Sequence, residues 1–316
     1  MLAEQNEKRF TAALNCLCKN ISRRLLPLAP KLADSVQEIR LRLSRPLALV
    51  CPDNTYYLTQ NGGLSNTILN GAMLVVSKAD IVDTFNNICN YSVYNRQNEI
   101  VNGFVTMYGG HRAGLCGTAV YGNGGLQTVK NFSSINIRIA RQHYGAARDL
   151  LPLFESNCRS RGLLIVGRAL SGKTTILRDL CRCIGGMFRV SLIDERQEIA
   201  AVYNGKPCLD VGLMTDVFSG YGKSDGIIRA VCCMSPDYIV TDELGADAES
   251  IRQAVNSGSG LIMTAHADSI EEAYRNEGIR TVIDSGAIQH IALVQSHRIT
   301  AVKQLITAEA NAVCTI

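Results

Sequence analysis

The string GRALSGKTT, residues 167–175, constrains this chain more than any other feature. It follows the apolar run LLIV and precedes ILRDLCRCI. In that segment Ile176, Leu177, Leu180 and Ile184 fall on one helical face, with Arg178, Asp179 and Arg182 expected outward. Gly167, Gly172, Lys173 and Thr174 fit G-x-x-x-x-G-K-[ST] between strand and helix, the order that a phosphate-binding loop requires. The two glycines permit backbone angles that a Cβ forbids. The loop from Gly167 through Arg168, Ala169, Leu170 and Ser171 to Thr175 is therefore expected to wrap a phosphate with main-chain N–H groups. The helix N-terminus adds about half a positive charge. Lys173 brings a full charge toward the β and γ phosphates, and Thr174 offers a hydroxyl to Mg²⁺.

Such a loop needs a carboxylate on a neighbouring strand to hold the metal. PDYIVTDELG supplies it: Ile239, Val240 and Thr241 run into Asp242 and Glu243 at a strand's C-terminal end, where open α/β sheets place ligands. Asp242 suits the Mg²⁺ shell, and Glu243 suits polarisation of an attacking water. A second acidic group, IDERQEIA, contains Asp194, Glu195 and Glu198. The residues alone leave open whether these acids assist metal and water or cap the next segment. TAHADS places His266 just past another apolar strand, on the same sheet edge.

The rest of the chain reads as two domains, consistent with 316 residues. Residues 1–143 are expected to form a smaller α+β domain. Its helix starts with EKRFTAALN, and EIRLRLSRPLALV alternates as one half-buried strand. SKADIVDTFNNIC is a helix capped by Ser77 that buries Ile81, Phe85 and Ile88. NGFVTMYGGHRAGLCGTAVYGNGGLQTV alternates strands with glycine turns, and SSINIRIARQ reads as a last strand. Residues 144–316 switch to alternating strand and helix, with GLLIVG, FRVSLID, DYIVTDE and GLIMTAH as strands buried on both faces. The fold class is α/β: a RecA-like P-loop domain with a mostly parallel sheet and helices on both sides.

Composition narrows the function classes. A formal charge of +4, no tryptophan and 6% aromatics provide no stacking platform, so no nucleic acid partner is expected. No N-K-x-D string is present to read guanine. No apolar run approaches the ~20 residues of a membrane span, and the start MLAEQNEKRFTAALN lacks the apolar core of a secretion signal. The chain is therefore expected in the cytoplasm. Twelve cysteines without a C-x-x-C pair read as thiols of a reducing compartment.

The order GRALSGKTTILRDL, IDERQEIA, SPDYIVTDELG, GLIMTAHA resembles the secretion-ATPase superfamily of type II and type IV secretion and pilus assembly. More narrowly, EIRLRLSRPLAL, GFVTMYGGHRAGLCGTAV, INIRIAR and DVFSGYGK resemble the stage III sporulation AA family of endospore-forming bacteria, over about residues 35–305. The resemblance implies a Mg²⁺-dependent ATPase of the mother-cell cytoplasm. It would lie against the membrane through proteins of a channel complex joining mother cell and forespore, and energise that channel's assembly or transport. It also implies a homo-oligomer, a hexameric ring in relatives, with the active site expected in the cleft between the domains and closure of that cleft as mechanical output. Lys173 and Thr174 would be the Walker A residues, Asp242 and Glu243 the Walker B pair, Glu195 or Glu198 the acidic box, and His266 the histidine box. Arg138 and Arg112 would bring charge to the phosphates, with Arg141 and Arg229 as weaker candidates. Relatives usually carry prolines after the first loop glycine. Arg168 and Ala169 stand there in this chain, which bears on turnover. The alternative is a nucleotide-dependent scaffold that docks on the channel complex and hydrolyses little.

Overall fold

The computed structural model describes residues 2–69, 71–122, 125–155, 162–243, 245 and 248–305. Two compact units emerge: Met1–Arg141 with Ala201–Cys208, and Gln142–Ala200 with Leu209–Ile316.

The first unit packs helices on one antiparallel sheet. The helices are α1 (Leu2–Asn15), α2 (Lys19–Leu25), α3 (Ala29–Leu32), α4 (Lys78–Ile88) and α5 (Gln97–Val101). The strands are β1 (Glu38–Arg42), β2 (Ala48–Val50), β3 (Thr55–Leu58), β4 (Leu64–Ser65), β5 (Phe104–Thr106), β6 (Arg112–Gly122) and β7 (Gly125–Arg138), in the order β4-β3-β2-β1-β7-β6-β5. Phe10, Leu14, Ile21 and Leu25 share a core with Ile39, Leu41, Ile135 and Ile137. Each such fully buried side chain stabilises the fold by about 1.5–3 kcal/mol. Ser77 and Asp80 cap α4 reciprocally, and Ile81, Phe85 and Ile88 are buried, as the spacing predicts.

Two strand expectations change. EIRLRLSRPLALV folds as the β1–β2 hairpin, Glu38 opposite Val50, because Ser44 turns into the left-handed region (φ 59°) before Pro46. Conversely, LQTV and SSINIR run on as the single strand β7. Its register irregularity is absorbed opposite Gly117, where a Cβ would lie 2.6 Å from the Lys130 carbonyl.

His111 in the glycine turn is structural. Its Nδ1 accepts the Ala140 N–H at 3.0 Å, so Nε2 carries the proton and donates to the Arg9 carbonyl at 2.8 Å. Burial pushes this imidazole down to about 4.

The second unit begins with β8 (Gly162–Val166), α6 (Lys173–Ile184) and β9 (Val190–Asp194). The chain then makes a short hairpin of β10 (Val202–Tyr203) and β11 (Lys206–Pro207), which clusters with the first unit. It resumes with β12 (Thr215–Ser219), α7 (Lys223–Met234), β13 (Tyr238–Thr241), α8 (Ala248–Asn256) and β14 (Gly260–Ala265). It ends with α9 (Ile270–Arg275), α10 (Glu277–Asp284), β15 (His290–Gln295) and β16 (Arg298–Gln304). The sheet order is β12-β9-β13-β14-β8-β15-β16, parallel except for β16. Every residue of β8, β9, β13 and β14 is buried, which is what their mostly apolar runs require of strands covered on both faces.

On α6 the expected apolar face is buried, but Asp179 is buried too. Its carboxylate accepts the Ala147 N–H at 3.0 Å and pairs with Arg182 at 2.8 Å. A buried acid with both needs met packs where the sequence pattern alone assigns it to solvent.

Candidate nucleotide site

The strand order sets the site. The carboxylate strand β13 is not next to the P-loop strand β8, contrary to expectation: β14 lies between them. His266, one residue past β14, is therefore inserted between loop and acids and touches both. A cleft of about 400 Å³ is lined by Ala169, Leu170, Ser171, Gly172, Lys173, Thr174, Thr175, Asp242, Glu243, His266 and Glu198, with Arg196, Thr264 and His297. All these residues belong to the second unit. Most of the expected site thus converges on one cleft.

The loop's glycines serve different purposes. At Gly167 a Cβ would sit 2.4 Å from the Val294 carbonyl, so this glycine is required by β15 packing. Gly172 (φ 101°) caps α6 from the left-handed region, and a Cβ there would meet His297 Nδ1 at 2.8 Å. The turn between β15 and β16 buttresses the loop, with His297 N–H donating to the Ser171 carbonyl at 2.9 Å.

Leu170 also has positive φ (62°) and is 94% exposed. It loses no burial if replaced. Leu170→Gly is expected to stabilise the fold by about 0.5–1 kcal/mol, the relief of left-handed strain less the extra unfolded-chain entropy. A urea titration reads this directly, and a lower midpoint at unchanged slope would contradict it.

Lys173 is 7% exposed and folds back into its own loop. Its ammonium donates to the Gly167 carbonyl at 2.7 Å, the Arg168 carbonyl at 2.8 Å and His266 Nδ1 at 3.2 Å. Burial lowers its pKa from the usual lysine value, and the Glu243 charge opposes that. Because an ammonium only donates, His266 Nδ1 must accept, and Nε2 must carry the ring proton. That nitrogen lies 3.2 Å from Glu243 Oε1. Glu243 Oε2 is 2.7 Å from Arg196, and its N–H bonds Thr264 Oγ1 at 2.8 Å. Glu243 also adopts positive φ (37°), a strained conformation of the kind that gathers at functional sites.

Asp242 is 6% exposed, and its Oδ1 is buried without a hydrogen-bond partner. Burial pushes its carboxyl up to about 6; Lys223 and Arg196 pull down, while Asp194 and Glu198 push up. Ser171 Oγ is likewise buried and unpartnered. An acid desolvated in this way, across from a P-loop hydroxyl, fits a hard divalent cation. The residues present therefore fit Mg²⁺, which Asp242 and Thr174 would hold.

The remaining candidates divide. Asp194 is fully buried and accepts N–H bonds from Glu198, Ile199 and Ala200, so it fixes the acidic loop. Burial raises its pKa against those three bonds. Glu195 turns to Lys223 at 3.3 Å. Arg168 does not line the cleft; it pairs with Asp268 at 2.5 Å in an adjoining pocket. Arg112 and Arg138 belong to the first unit. Arg138 lies 3.6 Å from Glu38, and Arg112 covers the Phe104 ring at 4.3 Å. Arg141 donates to the Ala33 and Val36 carbonyls, and Arg229 lies over Tyr221. Sequence reasoning passed over Arg196 and His297. Its one usable signal was that Arg196 sits inside the acidic motif itself.

The family model for sporulation stage III, protein AA matches residues 7–309. The chain belongs to that family. Stage III sporulation protein AA of Bacillus subtilis (strain 168) is 32% identical over 260 residues, covering 80% of each chain. Two solved structures share the fold at low identity. The pilus retraction motor PilT with bound ADP has a TM-score of 0.51 at 16% identity, over 82% of this chain and 74% of that one. The Yersinia pseudotuberculosis ATPase DotB has a TM-score of 0.50 at 15% identity, over 88% of this chain and 76% of that one. The fold is thus the RecA-like fold of secretion ATPases, as expected from the motif order. Among the described residues no helix is long and apolar enough to cross a membrane.

Proposed function

We propose that this chain is an ATP-hydrolysing motor of the secretion-ATPase type, energising assembly of, or transport through, a mother cell–forespore channel during sporulation. The observation that carries the reading is Asp242 Oδ1, a buried acceptor without a partner in the cleft that also holds Lys173 and Thr174. The loop amides and the α6 N-terminus bind the triphosphate. Lys173 leaves its two loop carbonyls, those of Gly167 and Arg168, for the β and γ phosphates. Mg²⁺, when bound at Thr174 and Asp242, neutralises phosphate charge. Glu243 accepts the proton of the attacking water, and His266 links its carboxylate to the lysine that senses the phosphates. Cleft closure around the nucleotide provides the movement, within a homo-oligomer, by this reading a hexamer, in the mother-cell cytoplasm beside membrane proteins of the channel.

Phosphate release from Mg-ATP by the purified chain tests this, with binding of Mg-ATP-γ-S as second readout. Binding and turnover together are the expected result. Binding without turnover replaces the motor by a nucleotide-dependent scaffold. A chain that binds no nucleotide overturns the proposal.

A further inference from the structure

The cleft contains an arginine that no motif assigns. Among the described residues lining it, Lys173 and Arg196 are the cations besides two histidines. Neighbouring basic side chains are committed elsewhere: Arg168 to Asp268, Lys223 to Glu195, Arg178 to the carbonyls of Glu198 and Ile199 at 2.7 Å each.

Arg196 sits on a loop anchored on both sides. The Asp194 carboxylate grips the N–H groups of residues 198–200, and Gln197 N–H closes a turn onto the Asp194 carbonyl at 3.2 Å with φ 55°. Arg178, on the helix that starts at the phosphate loop, holds the same segment from the other side. The base of the loop is therefore fixed relative to the phosphate cradle, while the Arg196 side chain is 58% exposed.

Its partner is Glu243 at 2.7 Å, whose other oxygen faces His266. Each oxygen keeps a further lone pair, yet a guanidinium paired to the carboxylate competes with water for its charge, so release of Arg196 favours proton transfer to Glu243. A terminal phosphate entering the same cleft presents a planar, doubly charged face that suits a guanidinium better than one carboxylate does.

We infer that Arg196 is a γ-phosphate switch: it pairs with Glu243 in the nucleotide-free chain and moves to the terminal phosphate of a bound nucleoside triphosphate, freeing Glu243. This rests on the ATPase reading above. A diphosphate lacks the group that draws Arg196 away, so with ADP the pair with Glu243 stays closed. Catalytic readiness is thereby tied to the triphosphate state inside each single chain, whatever arginine a neighbour supplies.

The test compares dissociation constants for Mg-ATP-γ-S and Mg-ADP in wild type, Arg196→Ala and Arg196→Lys by titration calorimetry, with kcat for Mg-ATP alongside. Arg196→Ala is expected to weaken ATP-γ-S about tenfold, the scale of a charge-assisted contact, and to leave ADP within about twofold. Its kcat falls, and Arg196→Lys recovers part of both losses. If the two nucleotides shift together, or neither shifts, the switch is wrong while the ATPase reading stands. If wild type binds neither nucleotide, both are wrong.

Discussion

Glu243→Gln is expected to lower kcat for Mg-ATP about 10²–10⁴-fold, the range that a positioned general base contributes. The substitution keeps shape and one acceptor oxygen, and Glu243 is not a phosphate ligand in the proposed scheme. Affinity for Mg-ATP-γ-S should therefore stay within about threefold, a change of under 1 kcal/mol. The loss is thus in kcat and not in KM, the signature of an interaction made in the transition state. Steady-state phosphate release and nucleotide titration on the same preparations read both quantities. Equal rates in wild type and variant would remove Glu243 from the chemistry and with it the motor. The substitution leaves His266 and Arg196 beside a neutral amide. Their ties to residue 243, at 3.2 and 2.7 Å, become ordinary hydrogen bonds.

What could be read from the residues divides along a physical line. Local chemistry was legible. The strand GLLIV, the glycines of the loop, Lys173 and the helix after it follow from periodicity and turn chemistry, and they occur where expected. So does the Ser77 cap, which is decided within four residues. The order of strands in the sheet was not legible. β14 lies between β8 and β13 through pairings set by long-range packing, and that insertion makes His266 a bridge between Lys173 and Glu243. Asp179 and Asp194 show the same limit. Each is polar by composition, yet buried because main-chain N–H groups meet it, that of Ala147 for Asp179 and that of Ala200 among others for Asp194. Arg196 was hidden for a related reason. A charged residue on a turn reads as solvated until the strand opposite is placed.

Asp242→Asn is expected to abolish Mg-dependent turnover and, in the metal-free chain at neutral pH, to raise stability. The two effects have one cause. Burial lifts the Asp242 carboxyl from 3.8 to about 6, and the same desolvation suits the proposed cation. Between about pH 4 and 6 the folded chain retains on Asp242 a proton that the unfolded chain has released. Stability from this group therefore falls as pH rises through that window and is level above it. Asparagine has no such slope. With EDTA present, the variant's advantage should grow from pH 4 to pH 7 and reach about 1–2 kcal/mol, less than the full shift implies because solvent in the open cleft screens the charge. That corresponds to a melting temperature higher by about 3–6 °C in a domain of this size. Adding Mg-ATP-γ-S should then stabilise wild type more than the variant, because only the carboxylate holds the metal. A variant that melts lower than wild type at pH 7 in EDTA would show that Asp242 is an ordinary paired acid. The cleft would then have no strained ligand waiting for magnesium, and the strongest physical support for nucleotide hydrolysis here would be gone.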